Sequence, residues 1–432
     1  MSLHNFCDGV KRRDFLRVGA LSGFGLGLSN YFQLAQAGQV NAKAKGKAAI
    51  YIRLAGGPTH MDTFDLKPDA PVEYRGELKP IHTNVSGVEI SEKLPLLAKI
   101  ADKYAVLRGV SHTLAAHELG TKYTLTGNRP LPSLEYPALG SIVAKELPTA
   151  SDMPPYVAIP NVQQGAGYLG LQYGPLSTNS VPKLGEGYSV RGLSLSGSMT
   201  LADVARRERL LSSVDTTFRS IEKNSDILSG LDQFSEQAYN MISSKRAREA
   251  FDISKESTKL REKFGEGEVG QSALLALRLV ESGVRFVTIS TGGWDMHADI
   301  WGNLDKRLPP VDRGLSALLE TLEERGLLES TAVILQGEFG RTPKINTTRG
   351  GRDHWPRAMF TVLAGAGMKG GQVIGASDAK GEGPLNDAIA PNDIATSVLS
   401  TLGIDSHKEY HTNTGRPIMV NRDGKLIPGL FG

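Results

Sequence analysis

Short, almost uninterrupted apolar runs recur along this chain, and each stops at a turn rich in glycine or polar residues. The first runs from Ala48 to Ala55 and ends at Gly56-Gly57-Pro58; others lie at Tyr104–Val110, Tyr156–Ile159, Arg285–Ser290, Thr331–Gln336 and Met359–Leu363. Runs of this length bounded by turn residues read as buried strands. Between them lie segments with helical spacing: Leu94–Lys103, Tyr136–Glu146, Leu201–Ile221, Gln271–Ser282, Leu304–Arg325 and Asp393–Leu402. Strands alternating with helices predict an α/β domain built on a mostly parallel sheet flanked by helices. In such sheets the chemistry gathers at the carboxyl ends of the strands. The stretch Met199–Glu268 differs, being strongly charged, free of proline and poor in strand signals. It reads as a helical insertion over one face or edge of the sheet.

The amino terminus is of another kind. Lys11-Arg12-Arg13-Asp14-Phe15-Leu16-Arg17 precedes an uncharged stretch from Val18 to Gln33 and then Ala35-Gln36-Ala37. A basic region, a short apolar region and a small-x-small site are the three parts of an export signal, and the arginine pair fits the twin-arginine pattern. The apolar part is too short and too glycine-rich for a comfortable membrane span. The expected organisation is a signal peptide over 1–37, a polar linker over 38–47 and a domain over 48–430, periplasmic or extracellular, with no membrane span after cleavage. Cleavage removes Cys7, the one cysteine of the chain, which excludes thiol catalysis and a cysteine zinc cluster. A net charge of +3 leaves no electrostatic excess for holding nucleic acid. Nothing here sets the oligomeric state.

The strand ends carry most of the reactive side chains. They read Gly56-Gly57-Pro58-Thr59-His60-Met61-Asp62-Thr63-Phe64-Asp65, Ser111-His112-Thr113-Leu114-Ala115-Ala116-His117, Gly292-Gly293-Trp294-Asp295-Met296-His297, Gly337-Glu338-Phe339-Gly340-Arg341, and Gly351-Arg352-Asp353-His354-Trp355. Six of the nine histidines fall in or near such turns: His60, His112, His117, His297, His354 and His411. Imidazoles mixed with carboxylates suit a divalent ion such as Zn, Mn or Ca, used to activate water for hydrolysis. The candidate ligands or close supports are Asp62, His117, Asp295, His297, Glu338 and His354, with His60, His112 and Asp353 behind them. Arg341 and Arg352 offer planar donors for a phosphate or sulfate oxyanion. No single pair is decisive, since a histidine alone is more often structural than a ligand.

Taken together, the twin-arginine start, Gly-Gly-Pro-Thr-His-Met-Asp-Thr-Phe-Asp, Gly-Gly-Trp-Asp-Met-His, Glu-Phe-Gly-Arg-Thr-Pro and Gly-Arg-Asp-His-Trp resemble a bacterial family catalogued as domain of unknown function 1501. That family is grouped with the alkaline phosphatase and sulfatase superfamily, and the resemblance spans about residues 48 to 430. It implies an alkaline-phosphatase-like sandwich. Glu338-Phe339-Gly340 stands where sulfatases carry a metal-binding Asp-Asn-Gly or Asp-His-Gly, and His117 falls at their nucleophile position. There are departures. The paired aspartates that close the first strand in sulfatases are here Gly56-Gly57, and no cysteine or serine stands in a sulfatase signature, which excludes a formylglycine mechanism. Hydrolysis by metal-activated water is then expected, with a phosphohistidine at His117 as the lesser route and Thr113 and Thr121 as spare nucleophiles. The expected function is an exported metal-dependent hydrolase of a phosphate or sulfate ester on a small molecule or polysaccharide. The competing expectation is a non-catalytic cell-envelope binding or scaffold protein on the same fold.

Overall fold

The computed structural model describes residues 44–190, 240–412 and 414–431. The expected signal peptide and the helix at Leu201–Ile221 lie outside the described residues, as does most of the linker. Eight strands form the central sheet: β1 (Ala48–Leu54), β2 (Tyr104–Val110), β3 (Tyr156–Ile159), β4 (Leu176–Ser177), β5 (Phe286–Thr291), β6 (Thr331–Gln336), β7 (Met359–Ala364) and β8 (Gln372–Ile374). Their order across the sheet is β8-β2-β7-β6-β1-β5-β3-β4. β1 lies at the centre, parallel to β5 on one side and β6 on the other. β7 alone runs against its neighbours β2 and β6. The apolar runs account for six of these strands; β4 and β8, short edge strands of two and three residues, carry no such run.

β1 is buried along its whole length, so it reads as a continuous apolar run rather than an alternating one. Its side chains divide by pleat. Ile50, Ile52 and Leu54 enter one core with Leu274, Leu277, Leu315 and Leu318, which belong to α3 (Glu268–Glu281) and α4 (Ile300–Glu324). Ala49 and Tyr51 enter the other with Leu125, Ile142, Val143, Val398 and Leu399, from α1 (His117–Thr126), α2 (Leu139–Glu146) and α5 (Pro391–Thr401). The result is three layers, helices on both faces of one mostly parallel sheet, as the sequence pattern and the resemblance lead one to expect.

Of the expected insertion, the described part holds the helices Lys245–Phe251 and Thr258–Phe264. Ala247, Ala250, Phe251 and Phe264 join the core of the α3 and α4 face, and Arg278 of α3 bonds Glu256 and the Glu249 carbonyl. The helix expected at Leu94–Lys103 is broken into Pro95–Ala98 and a turn at Ala101–Lys103. Its start is capped from outside: Asp312, buried on α4, accepts the backbone N–H of Leu96 at 2.9 Å and of Leu97 at 2.8 Å. Replacing Asp312 by Ala leaves those two donors unpaired and is expected to cost about 1–3 kcal/mol; urea unfolding of the full chain measures it, and Asp312→Asn, which keeps one acceptor, is expected to lose less.

Candidate metal centre

Because β7 runs opposite to the other strands, the segment entering it lies at the same sheet edge where β1, β2, β5 and β6 finish. His354, just before β7, therefore meets residues that follow four parallel strands. Close backbone approach joins the pieces. Gly56 has φ +122°, and a Cβ there would lie 2.3 Å from the Asp295 backbone nitrogen. A Cβ on Gly351 would lie 2.1 Å from the carbonyl carbon of His297. Only glycine permits either contact. The backbone bonds Trp294 N–H to Ala55 O (3.2 Å) and Arg352 N–H to Met296 O (3.1 Å) complete the junction.

At that junction the Asp295 carboxylate stands among three imidazoles. Its Oδ1 lies 2.9 Å from His297 Nε2 and 3.1 Å from His354 Nε2, and its Oδ2 lies 3.3 Å from His117 Nε2. His297 Nε2 and His354 Nε2 are 3.1 Å apart. In each ring the other nitrogen is taken: His117 Nδ1 by Glu338 Oε1 at 2.7 Å, His297 Nδ1 by Asp353 Oδ1 at 2.5 Å, and His354 Nδ1 by the Ala115 carbonyl at 2.8 Å. With Nδ1–H donating to these acceptors, all three Nε2 lone pairs face the Asp295 side. An acceptor behind each ring that fixes tautomer and orientation is how metal-ligating histidines are ordinarily held. The Phe339 ring, 5.0 Å from His117 and 4.6 Å from His354 between centroids, packs the imidazoles from the side. His117, Asp295 and His354 offer ligand atoms all within 4.8 Å of one another. Asp295 is 45% exposed, so the cluster opens to solvent.

The electrostatics hold Asp295 ionised. Burial works against its charge, but the hydrogen bond and charge of Arg341 keep its carboxyl far below the ordinary range. Asp353 is lowered as well, first by the bond from His297. The donors fit a divalent ion: two imidazole nitrogens, of His117 and His354, and the Asp295 carboxylate, with His297 beside them and the far side of each ring anchored.

Several expectations are redirected. Asp62 is buried and takes Arg352 Nε at 2.8 Å and Thr59 Oγ1 at 2.7 Å, because a buried carboxylate needs a paired cation. His60 is buried against the Gly381 carbonyl at 2.8 Å, and burial pushes its pKa down. His112 Nε2 meets the Glu338 backbone carbonyl at 2.8 Å while its Nδ1 accepts from Leu114 N–H. It brackets the loop without joining the cluster. Thr121 is fully buried and accepts from Arg53 at 2.6 Å, out of a substrate's reach. Arg341 is fully buried too: Nε donates to Gly57 O at 2.8 Å, Nη1 to Arg352 O at 3.1 Å, and Nη2 to Gly56 O and Asp295. Its donors are spent inside the protein, as are those of Arg352, so neither is presented to an oxyanion. His411 sits exposed in the hairpin Glu409–His411 with Pro417–Met419. Glu338 and Asp353 stand behind His117 and His297.

One contributor has gone unremarked in the sequence. Arg53, in the middle of the buried sheet, reaches Glu338 Oε2 at 3.4 Å, while Gly56 N–H bonds Oε1 at 2.8 Å. Its signal is the lone charge in an apolar run. Asp65 shows a similar economy, paired with Lys67 at 2.9 Å and Arg108 at 3.5 Å and bonded by Ser377.

The chain matches the family described as "Protein of unknown function (DUF1501)" over residues 46–431. It belongs to that family. No curated protein matches this DUF1501 chain. Among solved structures it is similar to the lipoteichoic acid synthase LtaP from Listeria monocytogenes, at 11% identity and TM-score 0.40, over 90% of this chain and 80% of that one. It is also similar to the PsFucS1 sulfatase from Pseudoalteromonas sp., at 15% identity and TM-score 0.35, over 84% and 69%. The phosphonate monoester hydrolase SpPMH from Silicibacter pomeroyi stands at 10% identity and TM-score 0.32, over 83% and 74%. Likeness this distant says nothing about substrate.

Two outcomes follow for this DUF1501 chain. Gly56→Ala is expected to lower the melting temperature and displace the Asp295 loop, whereas Gly292→Ala, whose Cβ would meet nothing within 4 Å, stays within about 0.5 kcal/mol of the parent; thermal unfolding compares them. Burial alone would raise the Asp65 carboxyl, but Lys67, Arg108 and its other partners hold it below the ordinary value. A depressed folded pKa gives stability that is present above the unfolded value of about 3.9 and lost as pH falls through the folded one. Urea unfolding followed below about pH 4 should therefore show a loss that Asp65→Asn removes.

Proposed function

We propose that this chain is an exported metal-dependent hydrolase of a phosphate or sulfate ester. The observation that carries the reading is the convergence of three imidazole Nε2 atoms on the Asp295 carboxylate, each ring fixed from behind. His117, His354 and Asp295 would hold the ion with His297 beside them, and a donor set rich in nitrogen favours Zn over Mn or Ca, which suit oxygen ligands. When bound, a divalent ion lowers the pKa of water and stabilises negative charge on the ester oxygens. The chain's own groups do the rest. Glu338, Asp353 and the Ala115 carbonyl keep the protons on Nδ1 and turn Nε2 toward the site. Arg341 fixes Asp295, and Phe339 limits ring rotation. With both nitrogens of His117 engaged and Thr121 sealed below, water supports the attack better than a phosphohistidine or a threonine ester. The export reading rests on Arg12-Arg13 and Ala35-Gln36-Ala37. Among the described residues no helix is long and apolar enough to cross a membrane.

One observation favours the rival reading of a binding or scaffold protein: Asp295 is already paired with a guanidinium, so the cluster is not short of positive charge. The two readings part on metal and turnover. Protein recovered after export is expected to carry a transition metal, to melt lower after chelation, and to hydrolyse at least one of a panel of aryl phosphates, phosphodiesters and aryl sulfates. Asp353→Ala, which frees the His297 ring, is expected to weaken metal binding about 10–100-fold. Absence of metal, a melting temperature indifferent to chelators and no turnover across the panel would leave the scaffold reading standing.

A further inference from the structure

The donor inventory of the cluster closes at one ion. Three Nε2 atoms are turned toward Asp295, while every Nδ1 is already spent on Glu338, Asp353 or Ala115 O. Glu338 in turn is used up, with Oε1 between Gly56 N–H and His117 and Oε2 toward Arg53. A second ion would need further donors, and the turn that closes β1 beside Asp295 offers no carboxylate, since this chain has Gly56 and Gly57 there. Neither accepts a side chain, because a Cβ at Gly57 would lie 2.5 Å from the Phe339 ring and one at Gly56 would strike Asp295. These glycines offer only carbonyl oxygens. Arg341 takes both, together with Asp295 Oδ1, and it is completely buried in doing so.

We infer that the Arg341 guanidinium is a built-in cation occupying the place a second metal ion would take, so that the centre binds a single divalent ion. This inference rests on the metal-dependent reading above and adds to it the count and its cause. Three oxygens from Gly56, Gly57 and Asp295 converge on the guanidinium as they would on a hard cation. The planar group fills that position with hydrogen bonds in fixed directions and a charge that cannot be titrated away. A divalent ion brought to the same oxygens meets a fixed positive charge and must share their lone pairs with it.

The test is a count of ions. The full chain, stripped with a chelator, is titrated with Zn²⁺ by calorimetry, and bound metal is measured by elemental analysis after gel filtration. One equivalent per chain is the expected result. Two equivalents overturn the inference and leave the metal-dependent reading intact, whereas none overturns that reading and the inference with it. Arg341→Ala, checked for a native circular dichroism spectrum, is expected to take up a second, weaker equivalent. A folded variant that still binds one removes Arg341 as the cause. Should the variant not hold its fold, the wild-type count decides alone.

Discussion

A guanidinium with no exposure to water sits at the carboxyl end of the central strand, and much of that edge of the sheet is arranged around paying for it. A buried charge needs both a counter-charge and partners for its donors. Arg341 finds them in Asp295 and in the carbonyls of Gly56, Gly57 and Arg352. Those partners come from three separate segments. The Gly56-Gly57 turn has to stay bare so that its carbonyls face inward, the Asp295 loop has to lie across it, and the Arg352 backbone has to run alongside. Once these are in place, His297 and His354 follow, because each is within two residues of a tethered position.

The core of the sheet was legible because parallel strands buried on both faces are written as continuous apolar runs. Tyr104–Val110, Tyr156–Ile159 and Thr331–Gln336 have the same bounds in sequence and structure. Edge strands were not, since Leu176–Ser177 and Gln372–Ile374 are too short and half-buried to leave a pattern. Helix α1 was invisible for a related reason: Gly120, Thr121, Thr124 and Thr126 are among the residues it buries, where a helix usually buries a leucine stripe. Those small side chains let it sit close over Arg53 and Tyr51, and Tyr51 Oη bonds the Thr124 carbonyl.

The site was legible as a set of segments and illegible as a set of roles. Residue type and position at a strand end singled out Asp62 and Asp295 equally. What separates them is the third dimension: Asp62 is sealed against Arg352 at 1% exposure, while Asp295 stays open. The same holds for His112 and His117, five positions apart and both touching Glu338, one through the backbone carbonyl and one through the carboxylate. The reversal of β7 could not be read either, although it decides that His354 joins the cluster at all.

The spacing of the cluster is compatible with the proposed ion. With Nδ1–H donated by both rings, His297 and His354 would bring two Nε2 lone pairs together at 3.1 Å, a repulsion that a cation between them would relieve. A proton relieves one such contact. It does not account for a third imidazole, at 3.3 Å from the other Asp295 oxygen, being turned the same way by its own carboxylate. Donors bound tetrahedrally at about 2.0–2.1 Å stand roughly 3.3 Å apart; the imidazole contacts to Asp295 run from 2.9 to 3.3 Å, and the ligand atoms of His117, Asp295 and His354 all lie within 4.8 Å of one another. Three rings oriented from behind toward one carboxylate cost conformational freedom in each, which the proposed ion would offset.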